Sequence, residues 1–213
     1  MTDSSTNNNN GTLSGGTAYT NAVYGQGVWF DGTNGFADCG TGDSLSFSSN
    51  INFTITFRAA INPTSLSYAC IISKKGSRGS NRPGFMVKLE SGLLKIQFAD
   101  VPENTVQASA LMDVDDGVWR NYTFTADRDG YATIYIDGAT NGTPVDISGI
   151  GDINSIRSLC LGTIGFKNSQ WFNGKLDDVA IFDEVLDNKA IQKIYINGVA
   201  EYLLSGGTVI IVR

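Results

Sequence analysis

Trp171-Phe-Asn-Gly-Lys-Leu-Asp-Asp-Val-Ala-Ile-Phe-Asp-Glu-Val-Leu186 reads as a turn, then a strand, then the approach to a short helix. Leu176, Val179 and Ile181 mark the extended run, and Asp177 and Asp178 interrupt it in a way that alternation alone does not demand. Asp187 follows as a helix N-cap, because its carboxylate can take an orphan N–H of the first turn. Ala190, Ile191, Ile194 and Tyr195 then recur on one helical face that ends at Asn197-Gly198. No other stretch carries a convincing helical period.

Working outward, the rest of the chain reads as strands. Phe53-Thr-Ile-Thr-Phe57 alternates, Cys70-Ile-Ile72 is a short apolar run, and Gly84 to Leu89 turns through Glu90-Ser-Gly92 into Leu93-Leu-Lys-Ile-Gln-Phe98. Trp119-Arg-Asn-Tyr-Thr-Phe-Thr125 and Tyr131-Ala-Thr-Ile-Tyr-Ile136 flank Asp127-Arg-Asp-Gly130 as a hairpin. Period-two alternation puts Tyr122 and Phe124 on one face, with Trp119, Asn121, Thr123 and Thr125 on the other. Eight to twelve such strands imply two antiparallel sheets packed face to face, an all-β sandwich.

Composition narrows the chemistry. The 213 residues suffice for one buried core, and a formal charge of −6 opposes non-specific attraction to nucleic acid or to an anionic membrane. There is no histidine, which removes Ser-His-Asp and Cys-His catalysis and the usual His-bearing zinc sites. Cys39, Cys70 and Cys160 lack C-x-x-C spacing and are expected as buried thiols, a single bridge with one leftover being the alternative. The polar start Met-Thr-Asp-Ser-Ser-Thr has no signal-peptide pattern, and no apolar run reaches membrane-spanning length. Sequons at Asn10, Asn52, Asn121 and Asn141 are therefore weak evidence for glycosylation.

The ordered set of these pieces resembles the laminin G-like members of the concanavalin A-like lectin and glucanase superfamily. The pieces that carry it are Gly27-Val-Trp-Phe-Asp-Gly32, Phe53 to Phe57, Ile71-Ile-Ser-Lys74, Gly84-Phe85, Trp119, Ile134-Tyr-Ile-Asp-Gly138, Leu161-Gly162 and Phe172 to Phe182. The resemblance implies a jelly-roll sandwich over residues 1–198, leaving 199–213 as a C-terminal extension with a terminal strand. It also departs at the start, where the family's aromatic-rich opening strand has no counterpart before Asp3-Ser-Ser-Thr-Asn7.

Three groups of residues are candidate sites. The resemblance implies a structural Ca²⁺ held by Asp3 or loop carbonyls near Asn7 with Asp177 or Asp178, set against capping and turn hydrogen bonds by the same carboxylates. Lys74, Lys75, Arg78 and Arg82 concentrate four of fifteen basic residues in one glycine-rich stretch, which suits an acidic glycan or acidic partner as well as a solvated loop. Thr208, Val209, Ile210, Ile211 and Val212 read as a β-branched assembly strand that pairs at a sheet edge, in its own chain or a neighbour's. Glycosidase relatives place carboxylates as E-x-D-x-E on one strand face, whereas Glu90, Glu103, Glu184 and Glu201 each stand alone. No catalytic residue is assigned.

The expectation is a non-enzymatic surface or adhesion module. A start at Met1 without a signal points to a decoration or tail-type structural component of a virus or phage particle, made in the cytoplasm and displayed on the virion. Its partners are then other particle proteins or copies of itself, and cell-surface glycans; neither nucleic acid nor membrane insertion is expected. A free-standing lectin-like carbohydrate-binding protein is the alternative, and a glycan-active enzyme a remote one.

Overall fold

The computed structural model describes residues 1–64, 68–76, 82–101 and 104–204, together with the backbone of 210–212. Two antiparallel sheets pack face to face as a jelly-roll sandwich. One has seven strands in the spatial order β1 (Thr12–Ser14), β4 (Phe36–Asp38), β14 (Cys160–Leu161), β6 (Ala69–Ser73), β7 (Gly84–Glu90), β8 (Leu93–Ala99) and β9 (Thr105–Asp113). The other has nine. Its main path is β12 (Ala139–Thr140), β11 (Tyr131–Ile136), β10 (Trp119–Ala126), β5 (Phe53–Ile61), β15 (Asn173–Phe182), β3 (Gly25–Asp31) and β2 (Thr17–Ala22). β13 (Val145–Asp146) adds to β11, and β16 (Ile210–Val212) adds to β15.

Period-two alternation builds the core between the sheets. Ile55, Phe57, Tyr122, Phe124, Ile134 and Ile181 from one sheet meet Phe85, Val87, Ile96 and Phe98 from the other, all buried in one apolar cluster. Stacked and tilted rings among Phe47, Phe53, Phe85 and Phe98, with centroids 4.4–6.1 Å apart, fill one end of it. The expected β10–β11 hairpin forms, with Phe124 opposite Ile134. The β7–β8 turn has positive φ at Ser91 (55°) and Gly92 (77°), as a tight antiparallel turn requires.

The opposite, polar face of β5 and β10 is buried too. Asp187 caps α1 (Asn188–Leu203) by accepting from the N–H of Ala190 at 2.8 Å, and the helix lays Ile191, Ile194 and Val199 against Ala180, Phe182 and Leu186. Beneath this cover the hydroxyls of Thr56 and Thr123 bond each other at 2.9 Å. Thr54 donates its hydroxyl to Glu184 O at 2.7 Å and accepts from Leu186 N–H at 3.0 Å. The polar groups are thus paired, which removes the penalty for burying them. No helix among the described residues is long and apolar enough to cross a membrane.

At Gly198, where the sequence places the end of the family domain, the helix breaks (φ 82°, ψ 168°). Its last turn continues the packing, with Tyr202 edge-on to Phe182 at 5.6 Å. The backbone of Ile210–Val212 then pairs antiparallel with Val179, Ala180 and Ile181 of β15 in the same chain. It lies beyond the stretch of β15 that pairs with β3, which ends at Leu176. Thr208 and Val209, and the side chains of Ile210, Ile211 and Val212, lie outside the described residues.

Candidate ligand-binding cleft

The outward-facing positions of β7, β8 and β9 line up in rows. Register places Met86 opposite Gln97 and Gln97 opposite Gln107, so a thioether and two amides run across three strands. In the next row Lys88 is opposite Lys95, a like-charge pair that would repel on its own. Glu90 resolves it, its carboxylate lying 3.2 Å from the ammonium of Lys88 and 3.0 Å from that of Lys95. The hydrogen bond from Lys95 leads in holding the Glu90 carboxyl below its ordinary range, against the upward push of burial, and Lys88 adds to it.

Tyr68 closes the end of these rows. Its ring lies 5.1 Å from the Lys88 ammonium, and its hydroxyl accepts from the side-chain amide of Gln170. Tyr68, Met86, Lys88, Glu90, Gln97 and Gln107, together with Lys75 and Thr105, line a cleft of about 370 Å³. Its floor is Met86, part of a small apolar cluster with Cys70 and Ile164 against which Phe166 packs. The cleft therefore offers amide and hydroxyl groups that both donate and accept, one aromatic ring and a shielded cation.

The basic stretch expected as a loop has a different build. Lys74 and Lys75 are only 2% and 4% exposed. The Lys74 ammonium donates to Arg157 O at 3.0 Å and that of Lys75 to Arg82 O at 2.7 Å, so both act as struts under the surface. Burial pushes the Lys74 ammonium below its ordinary range. Arg82 is half-buried with its guanidinium 4.8 Å from the Phe166 ring centroid, and Arg78 lies outside the described residues. Sequence reasoning missed Gln97 and Gln107; the alternation of Leu94, Ile96 and Phe98 with Lys95 and Gln97 was the available signal.

Asp3, Asp177 and Asp178 do not converge as a group of three carboxylates. Among the described residues no group of three or more His, Cys, Asp or Glu converges as a metal site. Asp3 accepts from the N–H groups of Ser5 (2.8 Å) and Asn9 (2.7 Å), and so closes the N-terminal loop. Asp177 accepts from Tyr24 N–H and Asp178 N–H, both at 2.8 Å. Asp178 accepts from Val199 N–H at 2.8 Å. These carboxylates are engaged in the turn and bulge hydrogen bonds that were the alternative. Cys39, Cys70 and Cys160 are free and buried, and burial pushes each thiol up to about 12, which leaves them inert at neutral pH.

A two-sheet sandwich with a polar cleft on one outer face has the build of a ligand-binding module. The laminin G-like model of the concanavalin A-like lectin/glucanases superfamily matches residues 31–192, well over half of the chain, and the protein belongs to that superfamily. No curated protein sequence matches it. Among solved structures it is similar to the binding domain of Paraclostridial Mosquitocidal Protein 1 (TM-score 0.75, 16% identity, 89% of this chain and 48% of that one). The botulinum neurotoxin serotype G binding domain follows (TM-score 0.72, 18% identity, 91% and 47%). Domain 4 of AbnA, a GH43 extracellular arabinanase from Geobacillus stearothermophilus solved with arabinotriose, is covered almost end to end (TM-score 0.66, 16% identity, 87% of each chain). The chain spans about half the length of the two toxin domains. At these identities the likeness is one of fold.

Proposed function

We propose that this protein is a non-enzymatic module that binds a glycan in the cleft of β7, β8 and β9. The observation that carries the reading is the row of Met86, Gln97 and Gln107 beside Tyr68 and the Lys88–Glu90–Lys95 bridge. Sugar hydroxyls both donate and accept, and so match side-chain amides; the apolar faces of a sugar ring suit a thioether floor and a tyrosine edge. The similar arabinanase domain was solved with arabinotriose, which supports a saccharide as the ligand class.

The cleft argues against hydrolysis. Double-displacement and inverting glycosidases need two carboxyl groups across the scissile bond. Glu90 is the one carboxylate among the described residues that line the cleft, and two lysines hold it ionised. Whether the module is displayed on a virus or phage particle or as part of a longer extracellular chain changes who carries the cleft. It does not change what the cleft recognises.

A glycan array followed by calorimetry tests the reading. Gln97→Ala with Gln107→Ala should weaken binding at least tenfold while thermal stability holds, with no release of reducing sugar by the wild type. A wild-type protein that binds no glycan, or a double variant that binds as well as wild type, overturns it.

A further inference from the structure

The cleft and a second hollow are lined by consecutive residues of the chain, Lys75 and Gly76. Lys75 lines the cleft, while the neighbouring Gly76, with Arg82 and Arg157, lines a hollow of about 240 Å³ with no aspartate or glutamate among its described lining residues. Phe166 organises it. The Arg157 guanidinium lies 4.0 Å from its ring centroid and that of Arg82 4.8 Å. A guanidinium stacked on a ring keeps its in-plane N–H donors for another partner. Neither guanidinium has an ion pair or hydrogen bond with a described residue.

The pair is also held in place from behind. Lys74 holds the carbonyl of Arg157 and Lys75 that of Arg82, so two buried ammonium groups fix the backbones of the two half-buried arginines and add positive potential beneath them. Gly76 closes the wall, since a Cβ there would stand 2.9 Å from the Phe166 ring. On a chain of net charge −6, two preorganised guanidiniums with no described acid paired to them form a local attraction against the global field.

We propose that this hollow is an anion subsite, taking a carboxylate or sulfate group carried by a glycan whose neutral part lies in the cleft. The proposal rests on the glycan reading. Continuity argues for one extended saccharide rather than an acidic protein. Met86 of the cleft floor and Phe166 of the hollow share one apolar cluster, and Lys75 belongs to the cleft while holding Arg82.

Paired polysaccharides at low ionic strength provide the test: polygalacturonate against its methyl ester, and dextran sulfate against dextran, with poly-glutamate as the protein-like polyanion. The wild type should bind at least one charged member at least tenfold more tightly than its neutral counterpart, and 0.5 M NaCl should erase most of the difference. Arg82→Gln with Arg157→Gln should abolish the preference and leave neutral binding intact, while Arg82→Lys with Arg157→Lys, which keeps the charge but not the fork, should retain part of it. The salt dependence of the wild type serves should either variant fail to fold. Equal affinity within both pairs, or an unchanged preference in the glutamine variant, overturns the subsite, as does poly-glutamate bound as tightly as the best charged glycan. Loss of neutral binding in the Gln97 and Gln107 variant supports the cleft independently. Charged glycans bound through the arginines with no neutral glycan bound at all would overturn the cleft and leave the hollow standing as an anion site.

Discussion

The Asp178 carboxylate accepts from the backbone N–H of Val199 at 2.8 Å, and this contact makes the bulge in β15 and the break in α1 a single feature. Asp178 sits at φ 52° where the β15–β5 register slips between Asp177 and Ala180, and Gly198 at φ 82° frees the Val199 N–H from its helical partner. Each irregularity supplies what the other lacks. Arg58 of β5 completes the junction, donating to the hydroxyl of Tyr24 at 3.1 Å and to the carbonyl of Tyr195.

Asp178→Ala should therefore destabilise the protein by about 1–3 kcal/mol, since it leaves the buried Val199 N–H unpaired and puts a residue less tolerant of positive φ in the bulge. Asp178→Asn keeps an acceptor oxygen and tolerates that φ, so its loss should be smaller. Gly198→Ala should cost at least as much as Asp178→Asn, because its Cβ would lie 2.7 Å from the Tyr24 ring at a left-handed φ. Urea denaturation of the three variants checks the order; equal stability of Asp178→Ala and wild type would contradict the linkage.

Acid should weaken the turn that follows β3. Burial pushes the Asp31 carboxyl up, but the Thr33 hydroxyl and the N–H groups of Thr33, Asn34 and Gly35 outweigh it and hold the group at about 2, below its ordinary 3.8. A depressed folded value stabilises above the unfolded pKa and is lost as pH falls through the folded one. Wild-type stability should thus decline from pH 3.8 toward pH 2, and the decline should be shallower in Asp31→Asn. Thermal melts across that window decide it.

The thiols give a labelling prediction. With Cys39, Cys70 and Cys160 buried and their pKa values near 12, the native protein should react negligibly with a thiol reagent at pH 8, whereas unfolding should release three equivalents. Their folded values are raised above 9, so the associated stability is whole below pH 9 and lost as pH climbs toward 12. Rapid labelling of the native protein would rule out this burial.

Removal of residues 205–213 would strip β16 from Val179, Ala180 and Ile181 and leave their edge groups open. Stability should fall by about 1–3 kcal/mol, and the exposed edge should promote self-association at high concentration. Sedimentation and urea titration of the shortened chain provide the measurement, with an equally stable monomer as the contrary result.

Much of the sandwich was legible because alternation is a local signal. Tyr122 and Phe124 against Asn121, Thr123 and Thr125 fixed the faces of β10, though not the fact that both are buried; the second face is covered by α1, which arrives much later in the chain. β9 escaped notice because its inward residues include the small Ala108 and Ala110, while the larger Leu111 and Met112 are exposed. The site was less readable. Lys74 and Lys75 look like solvated charges in sequence, and only the approach of Arg157 O, 83 residues from Lys74, and of Arg82 O turns them into struts. Asp177 and Asp178 resemble metal ligands in a row, yet a row says nothing of the N–H groups that fold back onto it.

The strand order also has a kinetic consequence. β7–β8 and β10–β11 are hairpins that can form as soon as their own residues exist, but β15, between β5 and β3, cannot pair until its remote partners are brought to it. Thr54 and Glu184, whose hydroxyl and carbonyl bond beside that junction, are separated by 130 residues. Closing so long a loop precedes any reward from the contacts it creates, so folding should be slow, on the order of milliseconds to seconds. During that interval the hairpins stand with β5 still awaiting β15, and the molecule is most exposed to pairing with the wrong strand.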